Sequence, residues 1–189
     1  MTQYPSKDVD KDDIEYKSMR DAGYYLLMDE ITQESCADLI RWMLEETLSK
    51  KKKKTLNLIL SSGGGDLGSA FAVVDIIKGS KIPIHITGIG VVGSAALVIF
   101  LSGAVRTLTP NTSILSHQFS WASEGKQHEL LAALKEFNLT KDRMLGHYRK
   151  CTNLKDADIK KYLLPPEDVW LSADEALKLN ICDQIKEMY

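Results

Sequence analysis

Three side chains that could together cleave an acyl bond follow one another along the chain: Ser94, His117 and Asp168. A hydroxyl attacks a carbonyl efficiently only when a base takes its proton and an acid holds that base in the right tautomer. Ser94 opens the apolar run "SAALVIFLSGA", which reads as a helix over 94–104. A serine at a helix N-terminus lies in a field that favours negative charge on its oxygen. Its small neighbours Gly93, Ala95 and Ala96 would let a polypeptide or acyl group approach the backbone. His117 ends the strand-like "TSIL", so its ring is expected at a rim, and Asp168 precedes "VWLSA" in a loop before a capped helix. The plainer reading is that Ser94 only caps its helix. Spacing alone leaves open whether the three residues meet.

The glycines before Ser94 invite a different chemistry. Gly88, Gly90 and Gly93 spell G-x-G-x-x-G after a strand-like "IPIHIT" (82–87), the setting of a dinucleotide fingerprint. That site needs an acidic residue about 20 positions on for the ribose, and no Asp or Glu lies between Asp75 and Glu124. The fingerprint also belongs to the first βα turn, whereas here at least two strand–helix units come earlier. "SSGGGDLGSA" lacks the Gly-Lys-Ser/Thr ending of a phosphate loop. Both segments are instead expected to be loops that bring backbone N–H groups to one rim of a sheet.

The elements that must position these residues follow from periodicity. "GYYLLM" (23–28) reads as a strand, and Thr32 as the N-cap of a helix with Cys36, Leu39, Ile40, Met43 and Leu48 on its apolar stripe. "TLNLILSS" (55–62) reads as a strand entering a core, and "LGSAFAVVDIIKG" as a helix closing near Gly79. "RTLTPNTSILSH" (106–117) reads as two short strands around the Pro-Asn turn. A long helix is expected from about Glu124 to Tyr148, with Leu130, Leu131, Leu134, Phe137, Leu145 and Tyr148 apolar. It should outreach a small core, so part of that face is expected on another subunit. "SADE" (172–175) is a capping box, and Asn180 suits the left-handed end of its helix. Strands alternating with helices indicate an α/β fold with a largely parallel sheet.

Composition excludes several classes. The chain has 189 residues, 44% hydrophobic and 26% charged, with a net charge of −2, which gives no electrostatic reason to expect nucleic acid. The lysine run 50–54 is a solvated connection. Three cysteines, Cys36, Cys151 and Cys182, and four histidines show no metal-ligand spacing, so no metal or other cofactor is indicated. Cys36 and Cys182 read as buried thiols. Residues 1–20 form a polar arm without a signal core, and the longest apolar run is too short to span a bilayer. One domain over 21–189, without membrane contact and in the reducing cytoplasm, is the expectation.

Four ordered segments carry a family resemblance over nearly the whole chain. "LILSSGGGDLGSAFAVVD", "GSAALVIFLSGA", "LTPNTSILSHQ" and "EDVWLSADEALKLNICDQI" resemble the glycine loop, nucleophile helix, histidine stretch and aspartate-to-C-terminal pattern of ClpP, the proteolytic subunit family of the Clp protease. The distance from Gly65 to Ser94 fits the family without a gap. The resemblance implies a ClpP/crotonase-like spiral of ββα units with a projecting handle helix over about 124–150. It implies Ser94 as nucleophile, His117 as base then acid and Asp168 as orienting acid, with the backbone N–H groups of Gly65 and Ala95 as the oxyanion hole. It also implies polypeptide substrates, self-association into stacked heptameric rings that enclose the sites, and an AAA+ unfoldase as partner.

Some positions depart from the family. Gly63 stands for the usual proline, Ala95 for the usual methionine, and Asp66 puts a carboxylate beside the implied oxyanion hole. Asp66 is expected to face solvent or cap the next helix. "FSWASEGK" lacks the family's Pro and paired glycines, and the N-terminal residues show no clear match to the axial loop. A serine endopeptidase is the leading reading. A ring subunit of little activity is the second. A crotonase-type acyl-CoA enzyme is the third, though it would not call for these three side chains.

Overall fold

A computed structural model of the chain describes residues 19–188, so the expected arm over residues 1–20 lies outside the described residues except at its last two positions. In chain order the elements are β1 (Tyr24–Leu27), α1 (Gln33–Leu48), β2 (Leu56–Ser62), α2 (Leu67–Gly79), β3 (Ile84–Gly93) and α3 (Ala95–Phe100). There follow β4 (Val105–Leu108), β5 (Ser113–Ser116), α4 (Gln127–Thr152), β6 (Val169–Ser172), α5 (Ala173–Lys178) and β7 (Gln184–Ile185). Strands β1-β2-β3-β4-β7 lie side by side and all pair in parallel. Parallel neighbours need crossovers, and α1, α2 and α3 supply the first ones. β5 pairs in parallel with the far end of β3 and antiparallel with β6.

Thr32 caps α1 as expected: it exchanges hydrogen bonds with Ser35, whose N–H donates to Thr32 Oγ1 at 3.1 Å. Cys36, Leu39, Trp42 and Met43 are buried there, but Leu48 is 81% exposed, against expectation. At about 100° per residue Leu48 falls roughly 120° round from Cys36, on the side away from Leu39 and Trp42. Cys36 and Cys182 are buried thiols, and burial pushes the Cys182 pKa up to about 11.

The glycine pattern before Ser94 is not a loop. The strand expected over 82–87 runs to Gly93 and carries the pattern inside it. Leu60 pairs with Gly88 and Ser62 with Val92, so residues 89–91 face Ser61 alone, as a bulge. Gly90 supplies its left-handed backbone at φ 62°. A Cβ on Gly88 would come within 2.7 Å of Leu108 Cδ2 and 2.9 Å of Val92 Cγ2. Before the bulge β3 pairs with β4; from Val91, its last residue, onward β3 pairs with β5. The helix expected over 94–104 is confined to Ala95–Phe100. Ser102 Oγ takes the Ile99 carbonyl at 2.6 Å, a local bond that competes with helix continuation. Gly103 then passes so close to Ile86 that a Cβ there would lie 2.9 Å from it.

Helix α4 has 26 residues and ends on Asn153 in the left-handed conformation, φ 60°. At 1.5 Å per residue it is ~39 Å long. Its second half is anchored by buried Met144, His147, Tyr148 and Thr152, and in its first half Phe137 packs on the rings of Phe119 and Trp121, while Leu130, Leu131, Leu134 and Leu139 are exposed. It therefore projects, as expected from its length. The capping box of α5 (Ser172 with Glu175) and the left-handed Asn180, φ 54°, are as expected. Arg106 fastens the C-terminal part to the sheet: its guanidinium donates to Asp183 and to the Cys151 and Asn180 carbonyls. Among the described residues no helix is long and apolar enough to cross a membrane.

His147 joins α4 to α3. Its Nε2–H donates to the Val98 carbonyl at 2.9 Å and its ring meets Phe71 edge-on. Burial, helped by the Lys78 and Lys150 charges, lowers its pKa from 6.5 to about 4. Between those values the unfolded chain binds a proton that the folded chain refuses, so stability falls as pH drops through that window. The loss is about 3 kcal/mol by pH 4. Urea unfolding midpoints between pH 7 and 4 should fall accordingly, and His147→Gln should remove that part of the slope. An unchanged slope in the variant would contradict the assignment.

Candidate active site

The sequence-predicted residues gather at one edge because four chain ends lie side by side. β2 ends beside β3: a Cβ on Gly93 would sit 2.9 Å from the Gly63 carbonyl. β3 ends beside β5 with Gly93 level with Leu115, so Ser94 is level with Ser116 and one residue short of His117. β5 runs antiparallel to β6 with Ser116 opposite Val169, which sets His117 opposite Asp168. His117 Nδ1 lies 3.5 Å from Asp168 Oδ1, with 29% and 63% of the two side chains exposed. No hydrogen bond among the described residues joins Ser94 Oγ to His117. A whole strand, not only a loop, separates Asp168 from α5.

Ser94 is held in a strained conformation, φ 50° and ψ −120°, between the last residue of β3 and the first of α3. A non-glycine residue in such a region costs roughly 1–3 kcal/mol and persists only where its surroundings enforce it. The enforcing bond is Ser94 N–H to the Leu115 carbonyl at 2.9 Å. Ser94 Oγ makes no capping bond to α3, so the plainer capping role does not hold. The side chain is half-buried between buried Gly93 and Ala95, on a one-residue strand-to-helix turn of the kind that lifts a nucleophile out of the sheet. With a helix of six residues behind it, the tight turn accounts for the serine's setting better than a long helix field does.

The glycine loop 63–65 faces this turn. Gly64 and Gly65 have φ 116° and 141°, angles closed to other residues. Gly64 N–H donates to Ser62 Oγ at 3.2 Å. Ile31 takes hold of the loop from the other side: its N–H donates to the Gly64 carbonyl at 2.8 Å, and its carbonyl accepts from Asp66 N–H at 2.6 Å. In a parallel bridge the residue between those two bonds turns its own N–H the other way. Gly65 N–H therefore points away from Ile31, toward the β3 side. Among the described residues no acceptor takes the N–H of Gly65 or of Ala95. Asp66 caps α2, its Oδ1 accepting from Ser69 N–H at 2.7 Å, and the Ser69 hydrogen bonds hold its carboxyl below the usual range. Sequence reasoning did not single out Ile31, nor the neighbours of His117 that anchor its strand. Ser116 Oγ donates to the Leu163 carbonyl at 2.7 Å and Gln118 N–H to the Pro165 carbonyl at 2.9 Å. The polar residues flanking His117 at the end of an apolar strand were the available signal.

The sequence profile of the Clp protease family matches residues 7–188. The chain belongs to the Clp protease family. It is 29% identical over 187 residues to the ATP-dependent Clp protease proteolytic subunit 1 of Protochlamydia amoebophila, covering 96% of this chain and 87% of that one. It is 30% identical over 179 residues to the subunit of the same name from Chlamydia pneumoniae, with 92% and 91% covered. Among solved structures, an asparagine-to-aspartate mutant of ClpP1 from Listeria monocytogenes superposes with a TM-score of 0.78 at 26% identity, covering 90% of this chain and 95% of that one. The architecture of this Clp protease family member is thus the ClpP-like arrangement expected, including the projecting long helix.

Gly64 and Gly63 separate two kinds of glycine. A Cβ on Gly64 would sit 2.7 Å from Ser94 Cβ, whereas one on Gly63 meets nothing within 4 Å. Gly64→Ala should cost about 2 kcal/mol or more and Gly63→Ala well under about 1. Denaturant unfolding of both variants checks this; matching midpoints would contradict the close approach of the two turns.

Proposed function

We propose that the chain is a serine endopeptidase of the Clp type, hydrolysing extended polypeptides through an acyl-enzyme. The observation that carries the reading is the side-by-side ending of β2, β3 and β5 next to the start of β6, with His117 opposite Asp168. Ser94 Oγ attacks the scissile carbonyl carbon while His117 Nε2 takes its proton. Asp168 holds Nδ1–H of the same ring. The carbonyl oxygen becomes an oxyanion that accepts from the N–H groups of Gly65 and Ala95, each such donor contributing about 2.7–4 kcal/mol. The C–N bond then breaks, His117 gives its proton to the leaving amine, and water repeats the sequence on the acyl-serine.

The exposed leucines of α4 support self-association through that helix, so that rings stack and enclose the sites. The relatives' names, ATP-dependent and proteolytic subunit, support delivery of substrate by an ATPase unfoldase. A second reading, a ring subunit of low activity, draws on one observation: Ser94 and His117 are not hydrogen-bonded. Catalytic hydrogen bonds are often long before substrate or assembly tightens them, which favours the first reading.

Two measurements test it. The purified chain should hydrolyse a fluorogenic peptide and be labelled by a serine-reactive phosphonate, and Ser94→Ala should lose both, by at least about 10³-fold in kcat/KM. Unchanged cleavage in that variant would sink the nucleophile assignment. Leu131→Glu with Leu134→Glu should reduce the particle mass in solution to that of a single ring, and an unaltered mass would remove α4 from the interface.

A further inference from the structure

His117 is the first residue past the end of β5, whose pairing with β6 closes at Ser116 opposite Val169. Its ring has one polar contact among the described residues, Asp168 Oδ1 at 3.5 Å. A ring so lightly held takes its position from its backbone. The residues on either side of it are bonded to a single stretch of chain. Ser116 Oγ donates to the Leu163 carbonyl at 2.7 Å and Gln118 Nε2–H to the Leu164 carbonyl at 3.2 Å. Gln118 N–H donates to the Pro165 carbonyl at 2.9 Å. Three successive carbonyls, 163 to 165, are therefore taken by the two neighbours of His117, and the histidine is stapled from both sides.

The stretch that offers these carbonyls is stiff, and it leads to the acid. Leu163 ends a single π-turn, Ile159–Leu163, closed by the Leu164 N–H to the Ile159 carbonyl at 2.8 Å. Such turns are rare and concentrate at functional sites. No helix continues beyond it, so the carbonyls at its end need partners from elsewhere. Pro165 and Pro166 follow, and each ring fixes its own φ near about −65°. Asp168 comes two residues after Pro166. One rigid segment thus holds the backbone on both sides of His117 and carries the side chain that meets its ring.

Ser116 is the member that packing does not call for. Successive side chains of a strand alternate, so Ser116 shares the face of Ile114, and the two are 1% and 0% exposed. An apolar side chain there would need no partner, whereas a buried hydroxyl is costly unless bonded. Tyr148, also buried, brings its hydroxyl to the same side chain. The Ser116 bond spans 47 positions of sequence. Buried Ser102, by contrast, bonds only to the Ile99 carbonyl three residues back.

We propose that Ser116 is a positioning residue, whose bond to the Leu163 carbonyl sets the His117 backbone so that one ring reaches both Ser94 and Asp168. This rests on the peptidase reading of those three residues. Ser116 touches no substrate and acts through its neighbour, so its loss should slow the chemical step and leave substrate binding as it was.

The test compares Ser116→Ala with Ser102→Ala, the same change at a buried hydroxyl away from His117, in the purified assembled chain. Labelling by a serine-reactive phosphonate gives two readings: its end point counts folded sites, and its rate per site reports activation of Ser94. Ser116→Ala should lower that rate and the peptide kcat by about tenfold or more, with KM within about twofold of the parent. Ser102→Ala should label at the parent rate per site. Gln118→Ala leaves the core untouched and loses only the bond to Leu164, so it should slow labelling in the same direction and by less. A parent rate in either Ser116→Ala or Gln118→Ala, or an equal fall in Ser102→Ala, overturns the proposal and leaves the peptidase reading standing. A parent chain that neither cuts peptide nor labels at Ser94 removes both.

Discussion

Strand β5 is four residues long, yet both of its edges are committed. On one side its Leu115 carbonyl accepts the Ser94 N–H and fixes the strained serine. On the other it runs antiparallel to β6, which carries Asp168 up to His117. The side-chain period of a strand is two, so a slip of one residue on either edge would turn a reacting group to the opposite face. The position of three side chains from distant parts of the chain therefore depends on the registration of one short strand. The π-turn and the Ser116 and Gln118 bonds hold that strand from its end.

The electrostatics of the edge follow from the same economy of space. Two backbone N–H groups, of Gly65 and Ala95, have no acceptor among the described residues because their neighbours' groups are all used: Ile31 takes the atoms on either side of Gly65, and Leu115 takes the Ser94 N–H. The loop's own carboxylate, Asp66, is turned into the cap of α2 by Ser69. Its charge is thereby directed to helix donors rather than opposing an oxyanion. Gly64 admits this arrangement only because it has no Cβ at 2.7 Å from Ser94 Cβ.

Much of this was readable in the residues. Alternating strands and helices, the Thr32 and Ser172 caps and the left-handed Asn180 depend on local chemistry, which a sequence displays directly. The long helix was visible from its period, and its projection from its length. The glycine pattern at 88–93 was misread as a loop because glycine marks both turns and bulges, and only the pairing partner distinguishes them. The short α3 was misread because Ala95 to Leu101 is apolar all round: periodicity cannot locate the end of a fully buried helix. The convergence of Ser94, His117 and Asp168 on one edge needed the order and direction of β3, β5 and β6, which no local signal contains.

The bulge in β3 adds one more constraint. Between Leu60 and Ser62 on β2 there is one intervening residue, but between Gly88 and Val92 on β3 there are three. The surplus is two, an even number, so the in-out alternation is in phase on both sides: Ile84, Ile86, Gly88 and Val92 all point to the core. Parity lets one strand change neighbours from β4 to β5 without turning inside out. A lineage could lengthen or shorten this bulge only in steps of two. A single inserted residue would leave every hydrogen bond before it intact and still rotate Ser94 out of the edge it shares with His117.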